Sequence, residues 1–187
     1  YPMREIAEML AKTPVAVNVA SYTGQSALRE QVMGEKNLNR PATQQEIDAM
    51  KLLLKKDLYA GSLGLSTGLE YESAFYSTRD EVLQLAKVTA AAKARYISHI
   101  RSEDITMADA LDEIIEIGRQ AKLPVQISHI KLAKKDDWGS ASRIIALLEK
   151  ARKEGIDVTA DIYPYTFWHS TPRVLFPKKD FTNLESA

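Results

Sequence analysis

Short apolar runs alternate with longer amphipathic stretches along this chain, and few folds accommodate that alternation. The runs near 15–19, 62–66, 96–100, 125–129 and 157–162 read as strands. Between them apolar residues recur at helical spacing, as in Ile47, Met50, Leu54 and Leu58, in Val82, Leu85 and Val88, in Leu111, Ile114 and Ile115, and in Ile144, Leu147, Leu148 and Ala151. Thr43 with Glu46, and Thr78 with Glu81, have the spacing of capping boxes, and Thr106 is placed to cap the next helix. Strand–helix–strand repeats build parallel sheets. The expected class is therefore α/β, with about five parallel strands and their helices. Such strands form either an open doubly wound sheet or an arc of a (β/α)8 TIM-type barrel. No Gly-x-Gly-x-x-Gly turn follows the first strand, which counts against the doubly wound form. No low-complexity linker interrupts residues 1–187, so a single domain is expected.

Charge and composition narrow the partners. Lys+Arg and Asp+Glu both number 25, a formal net charge of zero, which gives no attraction to nucleic acid or to an anionic membrane surface. There is no cysteine to form a disulfide, to attack a substrate or to ligate a metal. No apolar run is long enough to cross a bilayer. Tyr1 to Glu8 lack the layout of a signal peptide, so the expected location is cytoplasmic.

The chemistry concentrates in a repeated motif. Ile97-Ser98-His99-Ile100-Arg101 is echoed by Ile127-Ser128-His129-Ile130-Lys131. If both runs are strands, each histidine shares a face with the cation two residues on, because strand side chains repeat every second residue. Parallel α/β folds gather their active sites at the carboxyl ends of strands, where His99, His129 and Asp161 fall. Two imidazoles can ligate zinc, and an open coordination position lets that ion activate water. The plainer reading is a pair of histidines bonded to backbone, with Arg101 and Lys131 paired to Glu103, Asp104 or Asp136 at the surface. Arg101 and Lys131 could instead hold a carboxylate, and Lys131 could form a Schiff base. Glu70 and Tyr71, just past the second strand, could orient a metal or its water, or bind substrate. Asp161 reads as a support for an imidazole or as the cap of the turn before Pro164, with the structural role favoured. His169 lies in an aromatic tail and reads as structural or exposed.

Four runs carry a resemblance: Gly64-Leu65-Ser66-Thr67-Gly68-Leu69-Glu70-Tyr71, Ser98-His99-Ile100-Arg101-Ser102-Glu103, Pro124 to Lys131, and Asp157 to Tyr165. Together they resemble the D-aminoacylase family, the N-acyl-D-amino-acid deacylases of the amidohydrolase superfamily. The resemblance spans roughly residues 15 to 177 and implies a distorted (β/α)8 barrel holding one or two zinc ions at its strand ends. It implies that His99 and His129 ligate metal, and that Lys131 and Tyr71 contact the acyl-amino-acid substrate. Tyr163, and a serine matching Ser170, would hold the α-carboxylate. The family's Gly-His after the early strand is replaced here by Gly24-Gln25. The family's His-x-His motif of the first strand, its cysteine ligand and its catalytic aspartate have no counterpart in these residues, so no catalytic residue is assigned within them. The five strands look like the third to the seventh of eight, an internal piece of a longer enzyme that would associate with itself or with the remaining barrel.

The leading expectation is a metal-dependent hydrolase of linear amide bonds acting on N-acyl amino acids, with the isolated piece inactive. The alternatives are another amidohydrolase (a dipeptidase or a cyclic amidase such as dihydroorotase), a lyase using Lys131, or a catalytically silent module that binds carboxylates.

Overall fold

The computed structural model describes residues 2–176. In chain order the elements are α1 (Met3–Lys12), β1 (Thr23–Gly24), α2 (Gln25–Met33), α3 (Gln44–Tyr59), β2 (Gly64–Gly68), α4 (Glu72–Phe75), α5 (Arg79–Ala91), β3 (Arg95–His99), α6 (Met107–Ala121), β4 (Val125–Ile127), α7 (Ala141–Lys153) and β5 (Val158–Ala160). All five strands are parallel and lie side by side in chain order, β1-β2-β3-β4-β5. A doubly wound sheet reverses its strand order at a switch point. Nothing reverses here, so the sheet is an arc of a barrel, with α2, α3, α5 and α6 packed one beside the next along it.

The core lies between the sheet and these helices. Leu65, Tyr96, Val125, Ile127 and Val158 come from the strands and meet Met50, Leu54, Val82, Leu85, Leu111 and Ile114 from the helices. Each such fully buried side chain contributes roughly 1.5–3 kcal/mol through the water it sheds. The strands alternate as the pleat requires: in β3, Tyr96 and Ser98 are buried against the helices, while Ile97 and His99 face the other side. A polar link stiffens the buried face, where Thr67 Oγ1 lies 2.8 Å from both the Tyr96 hydroxyl and Ser98 Oγ. Burial pushes the Tyr96 hydroxyl up to about 12. Gly64 starts β2 where any side chain would strike the carbonyl oxygen of Arg95, 1.9 Å from the position of a Cβ.

The helix starts follow the sequence unevenly. Thr43 and Glu46 form a complete capping box. Thr78 accepts from the amide of Glu81, but the Glu81 carboxylate turns inward to Arg29 and Gln25, so the reciprocal half is missing. Thr106 makes no side-chain cap, and its own amide donates to the Ser102 hydroxyl instead.

One strand is misplaced by the sequence reading. Residues 14–22 form no strand, and Val15, Val17 and Val19 are exposed, Val17 by 71%. Alternating valines favour a strand only where a neighbour covers them. Pairing here begins later, with the amide of Leu63 donating to Ser21 O, and only Thr23–Gly24 completes a ladder. The other four strands fall where the apolar runs place them, within two residues at their starts and shorter at the ends of β4 and β5.

Candidate metal centre at the strand ends

The register sets the problem the site has to solve. Ser98 pairs with Ile127, so His99 stands beside Ser128 and not beside His129. Had β4 continued, His129 would have pointed to the opposite face from His99. The strand stops at Ile127 instead, and His129 takes a left-handed backbone conformation, φ +40°. Asp161, just past β5, holds this turn: its carboxylate accepts from the His129 amide and from Gln126 Nε2. The Ile130 amide donates to Asp161 O at 2.8 Å. Asp161 is therefore structural, but it holds the turn at His129 rather than capping the turn before Pro164, where the sequence reading put it.

The turn brings the two imidazoles together, with His99 Nδ1 3.0 Å from His129 Nε2. Every remaining ring nitrogen has a carboxylate. His99 Nε2 lies 2.8 Å from Glu70 Oε2, and His129 Nδ1 lies 2.9 Å from Glu103 Oε1. Lys131 Nζ donates to both Glu103 oxygens at 2.5 Å and lies 2.9 Å from His129 Nδ1. One ligand atom each from His99, Glu103 and His129 fall within 4.8 Å of one another. Two imidazole nitrogens and one carboxylate oxygen, partly shielded from water, are a donor set that suits zinc. A carboxylate on the far nitrogen of His99 is the usual outer support of a metal-ligating histidine.

The substrate-side residues surround this cluster. The Tyr71 ring lies 4.7 Å from His99, and Gly68 makes room for it, since a Cβ there would come within 2.8 Å of the ring. Burial pushes the Tyr71 hydroxyl up against the opposing effect of its hydrogen bond to Ser170. The Tyr163 ring is tilted by 41° to that of His129, with centroids 6.4 Å apart, and lies under Lys131 Nζ at 5.4 Å. Burial also raises the Tyr163 hydroxyl, with a smaller push from Glu103. Glu70, Tyr71, His99, Glu103, His129, Lys131, Tyr163, His169 and Ser170 line one cavity of about 590 Å³.

Two placements differ from the sequence reading. Arg101, expected beside the imidazoles, turns into the helix layer, where its guanidinium forks onto Glu113 with two bonds of 2.8 Å and reaches Phe75 O. The chain bends after His99, which ends the two-residue alternation the expectation relied on. Glu103, read only as a surface partner for a cation, is buried and central. It lies in the loop that follows β3, four residues after His99, where spacing alone does not tell a buried carboxylate from a solvated one.

The chain resembles known proteins over most of its length. No protein-family model matches it. It is 37% identical over 158 residues to a D-aminoacylase of Alcaligenes xylosoxydans xylosoxydans, covering 84% of this chain and 32% of that protein. It is 34% identical over 163 residues to an N-acyl-D-glutamate deacylase of the same organism, covering 87% and 32%. The chain thus spans about a third of the length of the curated relatives it matches. The crystal structure of a D-aminoacylase described as defining a subset of amidohydrolases superposes with a TM-score of 0.83 at 36% identity, over 88% of this chain and 34% of that one. A D-aminoacylase structure described by its binuclear metal centre matches with a TM-score of 0.83 at 35% identity, over the same shares. An N-acyl-D-glutamate deacylase of Bordetella bronchiseptica, bound to zinc and a phosphonate inhibitor, matches with a TM-score of 0.84 at 32% identity, also over 88% and 34%. The parallel barrel arc has the architecture of the amidohydrolase structures on which it superposes. Over most of its length the chain is homologous to D-aminoacylases and N-acyl-D-amino-acid deacylases, the resemblance its four motifs imply.

Proposed function

We propose that this chain forms strands three to seven of a (β/α)8 metal-dependent hydrolase that cleaves the amide bond of N-acyl amino acids. The observation that carries the reading is the His99–Glu103–His129 cluster, with Glu70 behind it. When bound there, zinc would polarise an amide carbonyl and make water a nucleophile near neutral pH. His99, His129 and Glu103 hold the metal. Glu70 fixes the orientation and tautomer of the His99 ring by taking its far nitrogen. Lys131 binds the substrate carboxylate as a point charge. Tyr71, Tyr163 and Ser170 line the same cavity and orient that carboxylate through hydroxyl donors. Arg101 has no part in binding, because its guanidinium turns away from the cavity onto Glu113 and Phe75 O, whereas Lys131, although paired with Glu103, lines it. The proton-transferring aspartate implied by the family lies outside these residues, and the arc associates with the rest of its barrel or with another copy. The reading is of a cytoplasmic enzyme acting on small molecules. No helix among the described residues is long and apolar enough to cross a membrane.

The test is hydrolysis by the full-length protein of N-acetyl-D-amino acids and their L-enantiomers, monitored through the release of acetate. Cleavage that requires zinc and is lost in His129→Ala supports the reading. Undiminished cleavage by His129→Ala, or none of any acylated amino acid, contradicts it.

A further inference from the structure

A buried polar network links α2 to α5 and ends on a carbonyl of the loop that carries Glu70 and Tyr71. Arg29 on α2 is fully buried, as are Glu81 on α5 and Gln25 at the start of α2. Arg29 Nη1 donates to Glu81 Oε2 at 2.5 Å, and Gln25 Nε2 donates to Glu81 Oε1 at 2.7 Å. A buried ion pair adds little net stability, because stripping water from both ions offsets their attraction. What sets this pair apart is where the rest of the guanidinium goes. Its Nη2 donates to Leu38 O and Arg40 O, and its Nε donates to Ser73 O at 2.8 Å. Ser73 lies in α4, a helix of four residues. A single turn does not hold itself, since fixing its dihedrals costs more than its own bonds return. This turn closes directly onto Tyr71, whose carbonyl accepts from the amides of Ala74 and Phe75 at 3.0 and 2.8 Å. Glu70 and Tyr71, immediately before it, are the residues that meet the His99 ring. The segment is pinned at its start by the Leu69 amide, which donates to His99 O at 3.1 Å. Beyond Tyr71 it is Arg29 that pins it from the helix layer, while Arg101 takes only the last carbonyl of the turn, Phe75 O.

We propose that Arg29, held by Glu81, is a positioning residue of the metal centre: through Ser73 O it fixes the turn that presents Glu70 and Tyr71 to His99. The inference rests on the reading of His99, Glu103 and His129 as metal ligands. Arg29 itself touches none of the three, so its effect on the metal passes through Glu70. Only arginine meets the requirement. A lysine at this position keeps a positive charge for Glu81 but puts a methylene where Nε stands, and Ser73 O then loses its donor. The ion pair and the hold on the turn are thus separable by substitution.

The test is a double-mutant cycle on zinc affinity in the full-length protein, by chelator competition on the parent, Arg29→Lys, Glu70→Gln and Arg29→Lys/Glu70→Gln. Arg29→Lys should weaken zinc by roughly tenfold, the lower end of what disturbing a carboxylate behind a ligand costs. With Glu70→Gln already present, the same change should weaken zinc by less than about twofold, because residues acting through one contact are not additive. A role in the fold alone leaves zinc affinity unchanged in Arg29→Lys, or lowers it by the same factor in both backgrounds. Either result overturns the proposal. If Arg29→Lys does not fold, Arg29→Met/Glu81→Met takes its place in the cycle, since removing both charges spares the cost of leaving one buried and unpaired. Failure of both to fold makes the network a requirement of folding only and overturns the proposal as well. The predicted coupling without amide cleavage leaves the positioning role standing and removes the hydrolase reading, and cleavage with additive effects does the reverse. A parent that binds no zinc removes the metal-site reading and the proposal with it.

Discussion

The two near-repeats, Ile97 to Arg101 and Ile127 to Lys131, match in sequence and end in opposite ways. The first continues as strand through His99 and then bends, sending Arg101 away from the cavity to Glu113. The second stops at Ile127, turns through a left-handed His129 and brings Lys131 back over Glu103. Because the strands pair one residue out of step with the repeat, the second had to break its pleat for the histidines to meet. The same five-residue pattern thus yields one structural cation and one in the site. The path of the chain beyond each strand, and not the motif, decides between them.

The largest effect that separates the two ends is on stability. Arg101→Met would leave Glu113, whose side chain is 2% exposed, without its guanidinium fork. Unfolding in urea should show a loss of about 3 kcal/mol, the lower end for a broken buried pair because Arg101 keeps 23% exposure. Lys131→Met should instead lower affinity for an N-acyl amino acid by roughly tenfold or more, as loss of a charged hydrogen bond to the ligand. If Arg101→Met weakened ligand binding as much as Lys131→Met, the contrast between the two cations would fail.

The supports of the two histidines differ in kind and give smaller effects. Glu70 holds the His99 ring, whereas Asp161 holds the His129 backbone. Glu70→Gln should weaken zinc about 10- to 100-fold, the usual result of disturbing a carboxylate behind a ligand. Asp161→Ala should loosen the turn and raise amide exchange at His129 and Ile130 as well as weakening zinc. Competition against a chelator measures the first effect, and hydrogen exchange separates the second.

The smallest effect concerns the buried side of β3. Burial raises the Tyr96 hydroxyl from its ordinary 10.0 to about 12, so the fold favours the protonated phenol. That contribution is fully present below about pH 10 and is lost as pH rises toward about 12. Tyr96→Phe should be less stable at neutral pH by about 1 kcal/mol and should lack this alkaline component. Ultraviolet titration of the phenols checks it, through a late-ionising component present in the parent and absent from the variant.

Much of the architecture was legible because it depends on local patterns. The helix stripes, the Thr43–Glu46 box and four apolar runs place the elements, and the paired histidines mark the strand ends. The valines of residues 15–19 misled because a strand pattern reports what a neighbour could cover, and no neighbour covers them here. Glu103 escaped because a loop carboxylate looks the same in sequence whether solvated or buried. Arg101 was misassigned because alternation holds only while the strand lasts. Asp161 was read as the cap of the turn before Pro164, whereas it holds the His129 turn of the neighbouring strand, a partner thirty-two residues away that local spacing does not show.

The most direct test of the central claim is zinc stoichiometry after equilibrium dialysis, measured by elemental analysis on the parent protein, His129→Ala and Glu103→Gln. The account expects zinc held by the parent, one ion or two, little or none by His129→Ala, and a weakened share by Glu103→Gln. Equal zinc in all three would contradict it, because the ion would then have to sit somewhere other than between His99, Glu103 and His129.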